Sequence, residues 1–317
     1  IMWGPMPLSP TPLGSAVGPS TEPGTTALPT WARVGLWVVV CWVVVFWRIS
    51  YLPLIDPDEA HYAQITREMR ALGDYLVPRI DGIPIIDKPA LFHWLQAGSF
   101  ALFGETEFAA RFPTAFAIFD MVFNAFLFGA FALLMVSALE NRPKLQIPGF
   151  ILLSLAVQIK GPFVFIVLVA TALVASLSKE TRALLRRIHW LPGLTAAGIL
   201  ALPWFVLMLR RFGQQFIDGY VLYNNVQLFA APLYRRSFYP FFYVRVALSA
   251  LFPWTLICLG GLLDGWRHRR NGELMDPRRV LLWAWVAVVF GFFSASRFKL
   301  DHYIFPIAPA VSLLAAD

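Results

Sequence analysis

Long apolar runs broken by short charged turns recur from residue 34 to the end of the chain. About 20 apolar residues cross a hydrocarbon layer of about 30 Å. By that rule the runs predict membrane spans at 34–55, 112–139, 191–209, 239–263 and 280–296, with a last one starting near Tyr303. Two shorter runs, 147–160 and 162–177, meet at Lys160, Gly161 and Pro162 and predict a tight hairpin or a single re-entrant turn. The architecture expected is an all-α polytopic membrane protein with about eight transmembrane helices. Residues 1–30 hold seven prolines, four glycines and one charge, Glu22, and read as a disordered tail. Residues 31–317 form the membrane domain, and 56–110 is its long first loop.

The pattern changes inside that loop. Asp56 suits an N-cap, Pro57 the first helical position and Glu59 a capping box. Ala60, Ala63, Met69 and Leu72 then recur at roughly helical spacing until Gly73, which predicts a short amphipathic helix lying at the membrane surface. Asp58 and Glu59 in its first turn suit either dipole stabilisation or catalysis. Asp81-Gly82 is a turn pair, and Asp87-Lys88-Pro89 precedes a second interfacial helix bearing His93 and Trp94. Lys88 therefore stands at the membrane lip, where a compact ammonium can meet a phosphate.

Composition narrows the class. The chain is 58% hydrophobic and 14% charged, with a mean hydropathy of +0.63, against about 25% charged in soluble domains. A soluble enzyme and a nucleic-acid-binding module are excluded. The net charge of +7 is unevenly placed. Lys and Arg number two in 140–146, four in 178–190 and five in 264–279, whereas 56–110 holds nine carboxylates against four Lys or Arg. By the positive-inside rule the basic turns and the N-terminus are cytoplasmic and 56–110 faces outside. Cys41 and Cys258 lie in apolar runs and suggest neither a disulfide framework nor a metal site.

The ordered motifs D-E-x-H-Y-A-x-x-x-R-E-M (58–69), G-D-Y-L-V-P (73–78), D-K-P (87–89) and F-G-x-x-E-F-A-A-R-F-P (103–113) resemble the first extracytoplasmic loop of bacterial GT-C glycosyltransferases. The resemblance is to the 4-amino-4-deoxy-L-arabinose lipid A transferase and protein O-mannosyltransferase-like group. I-F-D-M (118–121), I-K-G-P (159–162), R-S-F-Y-P-F-F-Y-V (236–244), L-F-P-W (251–254) and S-R-F-K-L-D-H-Y-I-F-P (296–306) follow in the same order. It implies a polyprenyl-phosphate-linked sugar donor, a lipid, glycan or protein acceptor, and a site on the outer face of the bacterial cytoplasmic membrane. It also implies roles: Asp58 as the essential first-loop carboxylate, Asp120 as the second acidic position, Lys88 and Tyr303 at the donor phosphate, and Lys299, Glu59 and His61 as further substrate contacts. No cofactor is demanded, and a divalent cation is left open.

The chain departs from the family pattern at three places. His61 and Leu228 stand where the family usually carries Arg, and Ile85 where it often carries Tyr; Arg235 or Arg236 is the candidate replacement for the lost charge. The family also has an extra helix pair between the residues matching Arg111 and Asp120, and it continues beyond the end of this chain. With 112–139 as one helix starting at Arg111, Asp120 would lie about 13 Å into the membrane, at about 1.5 Å per residue. Three other readings compete: a transporter built on Asp120 and Lys160, a metal-dependent membrane hydrolase using His61, His93 and His302, and an inactive shortened family member. A transporter would gather its polar groups at the midplane, often within an internal repeat, whereas here they gather in one outer loop.

Overall fold

The structure is a computed structural model that describes residues 57–115, 119–230, 241–250 and 275–316, with single positions within 32–43 and 252–270. The chain divides into two compact units, Ile1–Trp47 and Arg48–Asp317. In the first, Gly35, Leu36, Val39, Val40 and Val43 are helical and exposed. The tail expected at 1–30, and most of the span expected at 34–55, lie outside the described residues.

The second unit opens with α1, Pro57–Leu72, which ends at Gly73 in the left-handed region (φ +63°) as its sequence requires. A two-residue ladder follows, pairing Arg79 with Pro84 and Ile80 with Ile83 around Asp81 (φ +51°) and Gly82 (φ +75°). Two successive positive φ angles are the mark of a type I′ turn, which Asp-Gly favours. This ladder is the one departure from an all-α fold among the described residues. Helices α2 (Leu91–Phe103) and α3 (Glu107–Ala115) complete the first loop.

The bundle consists of α4 (Phe119–Glu140), α5 (Gln146–Lys160), α6 (Phe163–Ala175), the short α7 (Lys179–Leu185), α8 (Trp190–Phe212), α9 (Phe242–Ala250), α10 (Pro277–Ala295), a 3-10 segment Asp301–Ile307 and α11 (Ala308–Ala316). A π-helical segment, Ile217–Gln227, follows α8. The runs 147–160 and 162–177 thus form a hairpin, closed at Gly161 with φ +105°. Three described helices are long and apolar enough to cross a membrane: Val122–Glu140 within α4, then α8 and α10. Their outer faces are apolar to a degree unusual for a surface in water, with Leu191 and Ile199 of α8 80% and 63% exposed.

Lipid tails are as apolar as a protein core, so close packing rather than water exclusion must hold such helices together. Phe131 of α4 stacks on Trp285 of α10 at 4.5 Å between ring centroids, and the Trp285 indole donates to the Pro306 carbonyl at 2.8 Å. The Phe150 ring of α5 lies directly on Gly193 of α8, where any Cβ would collide with it. Gln158 Nε2 ties the same two helices by donating to the Ala201 carbonyl. At one end of the bundle Arg187 donates to the Ala138 carbonyl, while Gln146 donates to the Arg187 carbonyl and accepts from the His189 N–H. The other end holds Lys160, Phe163, Phe293 and Tyr303.

Of the span expected at 112–139, the first residues are described within α3, where Arg111 is bound by Glu59 of α1, and the rest within α4 from Phe119; residues 116–118 lie outside the described residues. Asp120 is the second residue of α4 and stands one turn before Phe123, whose ring meets Phe163 and the Lys160 ammonium. Its backbone therefore lies near the end of the bundle that holds Lys160.

Candidate active site

The first two turns of α1 carry Asp58, Glu59, His61 and Tyr62. Glu59 is gripped by Arg111: Nε donates to both carboxylate oxygens at 3.2 Å, and Nη2 donates to Oε2 at 2.9 Å. That pair pins the start of α1 to α3, so Glu59 faces a structural partner. His61 is exposed and sets its ring edge-on to Tyr62. The Asp58 side chain, like that of Asp120, lies outside the described residues.

Tyr62 is one turn along the helix from Asp58 and points inward. Its hydroxyl accepts from Lys88 Nζ at 2.6 Å, and its ring packs on Phe92 and His93. Burial by itself pulls the Lys88 ammonium down, but the Tyr62 phenol, the Asp87 carboxylate and the Tyr303 phenol outweigh it and hold the group above the ordinary lysine range. Lys88 is therefore a stable, mostly buried cation.

Lys160 arrives from the far side. It is the last residue of α5, where the helix dipole favours a positive charge, and its Nζ lies 5.1 Å from the Tyr303 ring centroid and 5.0 Å from that of Phe123. The two ammonium groups are close enough to feel each other's field. Two phenols and two lysine side chains thus meet at one end of the bundle, in surroundings where charge is weakly screened. A dianion placed between the cations would relieve their repulsion and accept hydrogen bonds from the phenols.

A second polar network supports this cluster from behind. Thr66 Oγ1 lies 2.6 Å from Gln96 Oε1, 3.0 Å from His93 Nδ1 and 3.0 Å from the Tyr62 carbonyl. Both oxygen neighbours can only accept, so the hydroxyl proton goes to one of them and His93 Nδ1 must be the donor to Thr66. Gln96 Nε2 donates to the Ala110 carbonyl, and Ser99 to the Ala109 carbonyl, which ties α1, α2 and α3 together. Burial, then the charges of Lys88 and His61, push the His93 imidazole down to about 3, so it is neutral at neutral pH.

Tyr303 lies near enough to Lys88 for its phenol to act on the ammonium. Lys299 is directed elsewhere: its ammonium donates to the carbonyls of Phe293, Ser294 and Ser296 and so caps the end of α10. Tyr62 and Lys160 also reach this cluster; the sequence offered Lys160 only as a transporter group and did not single out Tyr62. The signal for Tyr62 was its position four residues after Asp58, which places both on one helix face; Lys160 had only its place beside the Gly-Pro break. Ile85 packs in the apolar group under the loop with Ile65, Met69 and Trp204. Leu228 is half-buried, and Arg235 and Arg236 lie outside the described residues. Among the described residues no three His, Cys, Asp or Glu side chains gather as a metal site.

No family model matches the chain. It is similar to proteins named undecaprenyl phosphate-alpha-4-amino-4-deoxy-L-arabinose arabinosyl transferase. The one from Serratia proteamaculans is 27% identical over 310 residues, covering 83% of this chain and 55% of the relative. The one from Pectobacterium carotovorum is 30% identical, with the same coverage. The crystal structure of ArnT from Cupriavidus metallidurans bound to undecaprenyl phosphate superposes with a TM-score of 0.75 at 23% identity, over 90% of this chain and 60% of that one. The fold is therefore that of ArnT, and the sequence resemblance to GT-C transferases is supported by relatives and fold alike. The chain spans between half and two thirds of the length of these proteins.

Proposed function

We propose that this chain is the membrane domain of a glycosyltransferase that moves a sugar from a polyprenyl-phosphate donor to a lipid, glycan or protein acceptor. The observation that carries the reading is the meeting of Lys88, Tyr62, Lys160 and Tyr303 at one end of the helical bundle. In this reading about eight spans lie in the bacterial cytoplasmic membrane, the N-terminus and basic turns are cytoplasmic, and the cluster faces the periplasm.

The chemistry follows from the groups present. An acceptor hydroxyl oxygen forms a bond to the anomeric carbon of the sugar while the bond from that carbon to the phosphate oxygen breaks. The polyprenyl phosphate leaves with the electron pair. Lys88 and Lys160 meet the charge that grows on the departing phosphate, and the Tyr62 and Tyr303 hydroxyls orient it. Asp58 takes the acceptor proton, or aligns the hydroxyl that loses it. Asp120, near the start of α4 at the same end, is the second carboxylate of this scheme. Glu59 acts through Arg111 to hold the first turn of α1 in place. The phosphate is tethered to a chain that cannot leave the bilayer, which explains why the site is built where interfacial helices meet the bundle.

The test is sugar transfer from a polyprenyl-phosphate donor in membranes containing the full chain. Asp58→Asn should abolish transfer while donor binding persists, and Lys88→Ala should weaken donor binding. Transfer at the wild-type rate by Asp58→Asn would remove its catalytic assignment. Absence of transfer by the unaltered chain with any of the three acceptor classes would favour an inactive shortened family member.

A further inference from the structure

The π-helical segment Ile217–Gln227 has no role in the scheme above. Wide π turns are rare and are usually limited to a single turn near functional sites. Tyr220 within it is 3% exposed and stacked on Phe216, with ring centroids 5.0 Å apart and planes within 6°. Its hydroxyl is buried, with the Asn225 side chain as its polar neighbour.

Tyr220 and its neighbour Gly219 touch two different loops. The Tyr220 hydroxyl sits against Gly161, the residue directly after Lys160, so closely that a Cβ at Gly161 would collide with it. Ring carbon Cζ would remain at an ordinary 3.6 Å from that Cβ. Gly219 faces Ile86, two residues before Lys88, where an added Cβ would stand 3.1 Å from Ile86 Cδ1. Two consecutive residues of one segment thus abut both lysine-bearing loops. Tyr220 also joins the apolar group beneath the Lys88 loop, with Ile85 and Ile86 packed against it.

We propose that Tyr220 is a positioning residue that sets the separation of the Lys88 and Lys160 ammonium groups, and thereby the preference of the site for a phosphate monoester over a neutral head group. The inference rests on the phosphate-site reading above. Tyr220 braces the turn after Lys160 while Gly219 braces the turn before Lys88, and the π-helical backbone fixes the offset between the two. A shorter side chain at 220 lets the Lys160 turn relax toward it, which spreads the cations and weakens their joint hold on one phosphate.

The experiment compares binding of undecaprenyl phosphate and of undecaprenol, which has the same tail and no charge, to the full chain in nanodiscs. Tyr220→Leu should cut the preference for the phosphate at least tenfold while undecaprenol binding and the melting temperature hold. Tyr220→Phe should stay within about twofold of the unaltered chain, because the ring remains. Gly161→Ala should lose the preference, and adding Tyr220→Phe to it should restore part, since the collision is with the hydroxyl; the remainder reflects Ala at φ +105°. An unchanged preference in Tyr220→Leu, or a double variant no better than Gly161→Ala alone, would overturn the proposal. Lys88→Ala and Lys160→Ala separate the two levels. If they keep the preference, the phosphate-site reading fails and this inference with it; if they lose it while Tyr220→Leu keeps it, only the role of Tyr220 fails.

Discussion

Thr66→Val is the sharpest test of how the outer loop is held. Valine has nearly the shape of threonine, so the change removes one hydroxyl and little volume. Thr66, His93 and Gln96 are 0%, 4% and 1% exposed, and no water can replace what is lost without opening the packing. The substitution leaves His93 Nδ1 and Gln96 Oε1 without their partner. A buried polar group left unsatisfied costs about 1–3 kcal/mol, which makes about 2–6 kcal/mol for the two. The lower half of that range is expected, because His93 can move its proton to Nε2 and present a bare acceptor instead of an orphaned N–H. The cost falls on the contacts among α1, α2 and α3, so it is best read locally, by amide hydrogen exchange across 57–115 in detergent-solubilised protein. An opening free energy lowered by 2 kcal/mol corresponds to exchange about 30-fold faster. Thr66→Ser, which keeps the hydroxyl, should exchange within a few-fold of the unaltered chain. Protection in Thr66→Val within about threefold of wild type would refute the reasoning, because the network would then carry no net stability.

Three further outcomes follow from the same contacts. His93 is held at about 3 in the fold against an ordinary value of 6.5. The unfolded loop therefore binds the extra proton first: stability is fully present above pH 6.5 and is lost progressively as pH falls toward 3, and His93→Asn should flatten that slope in thermal melts. Glu59→Gln or Arg111→Gln breaks a charged pair that is 32% and 12% exposed, for which a loss of about 1–2 kcal/mol is expected after allowing for solvent at the glutamate. The check is faster hydrogen exchange at the start of α1, with slower transfer at unchanged donor affinity. Lys299→Met should lower the melting temperature, since α10 loses the cap on its last carbonyls, and should leave affinity for undecaprenyl phosphate within about twofold; a tenfold loss would restore Lys299 to the phosphate site.

Much of this protein follows from local pattern. Apolar runs located α8, α10 and the α5–α6 hairpin within a few residues, because one side of each helix must face lipid over a set length. Gly73 stops α1 and Asp81-Gly82 forms the I′ turn because those conformations need residues that tolerate positive φ. The place of Lys88 just before a helix was legible from Pro89 and the apolar run that follows. Tertiary structure alone decided where the long side chains point. Glu59 and Arg111 are 52 residues apart, yet their pairing fastens the start of α1 to α3. The same holds for Lys160, Tyr62 and Lys299. A lysine at a helix end has the same sequence signature whether it faces a phosphate or a neighbour's carbonyls, and only the packing of α5 and α10 against Tyr303 and the first loop separates the two. Periodicity fixes which residues share a face; the electrostatic partners on that face are set by segments far along the chain, and so is the site.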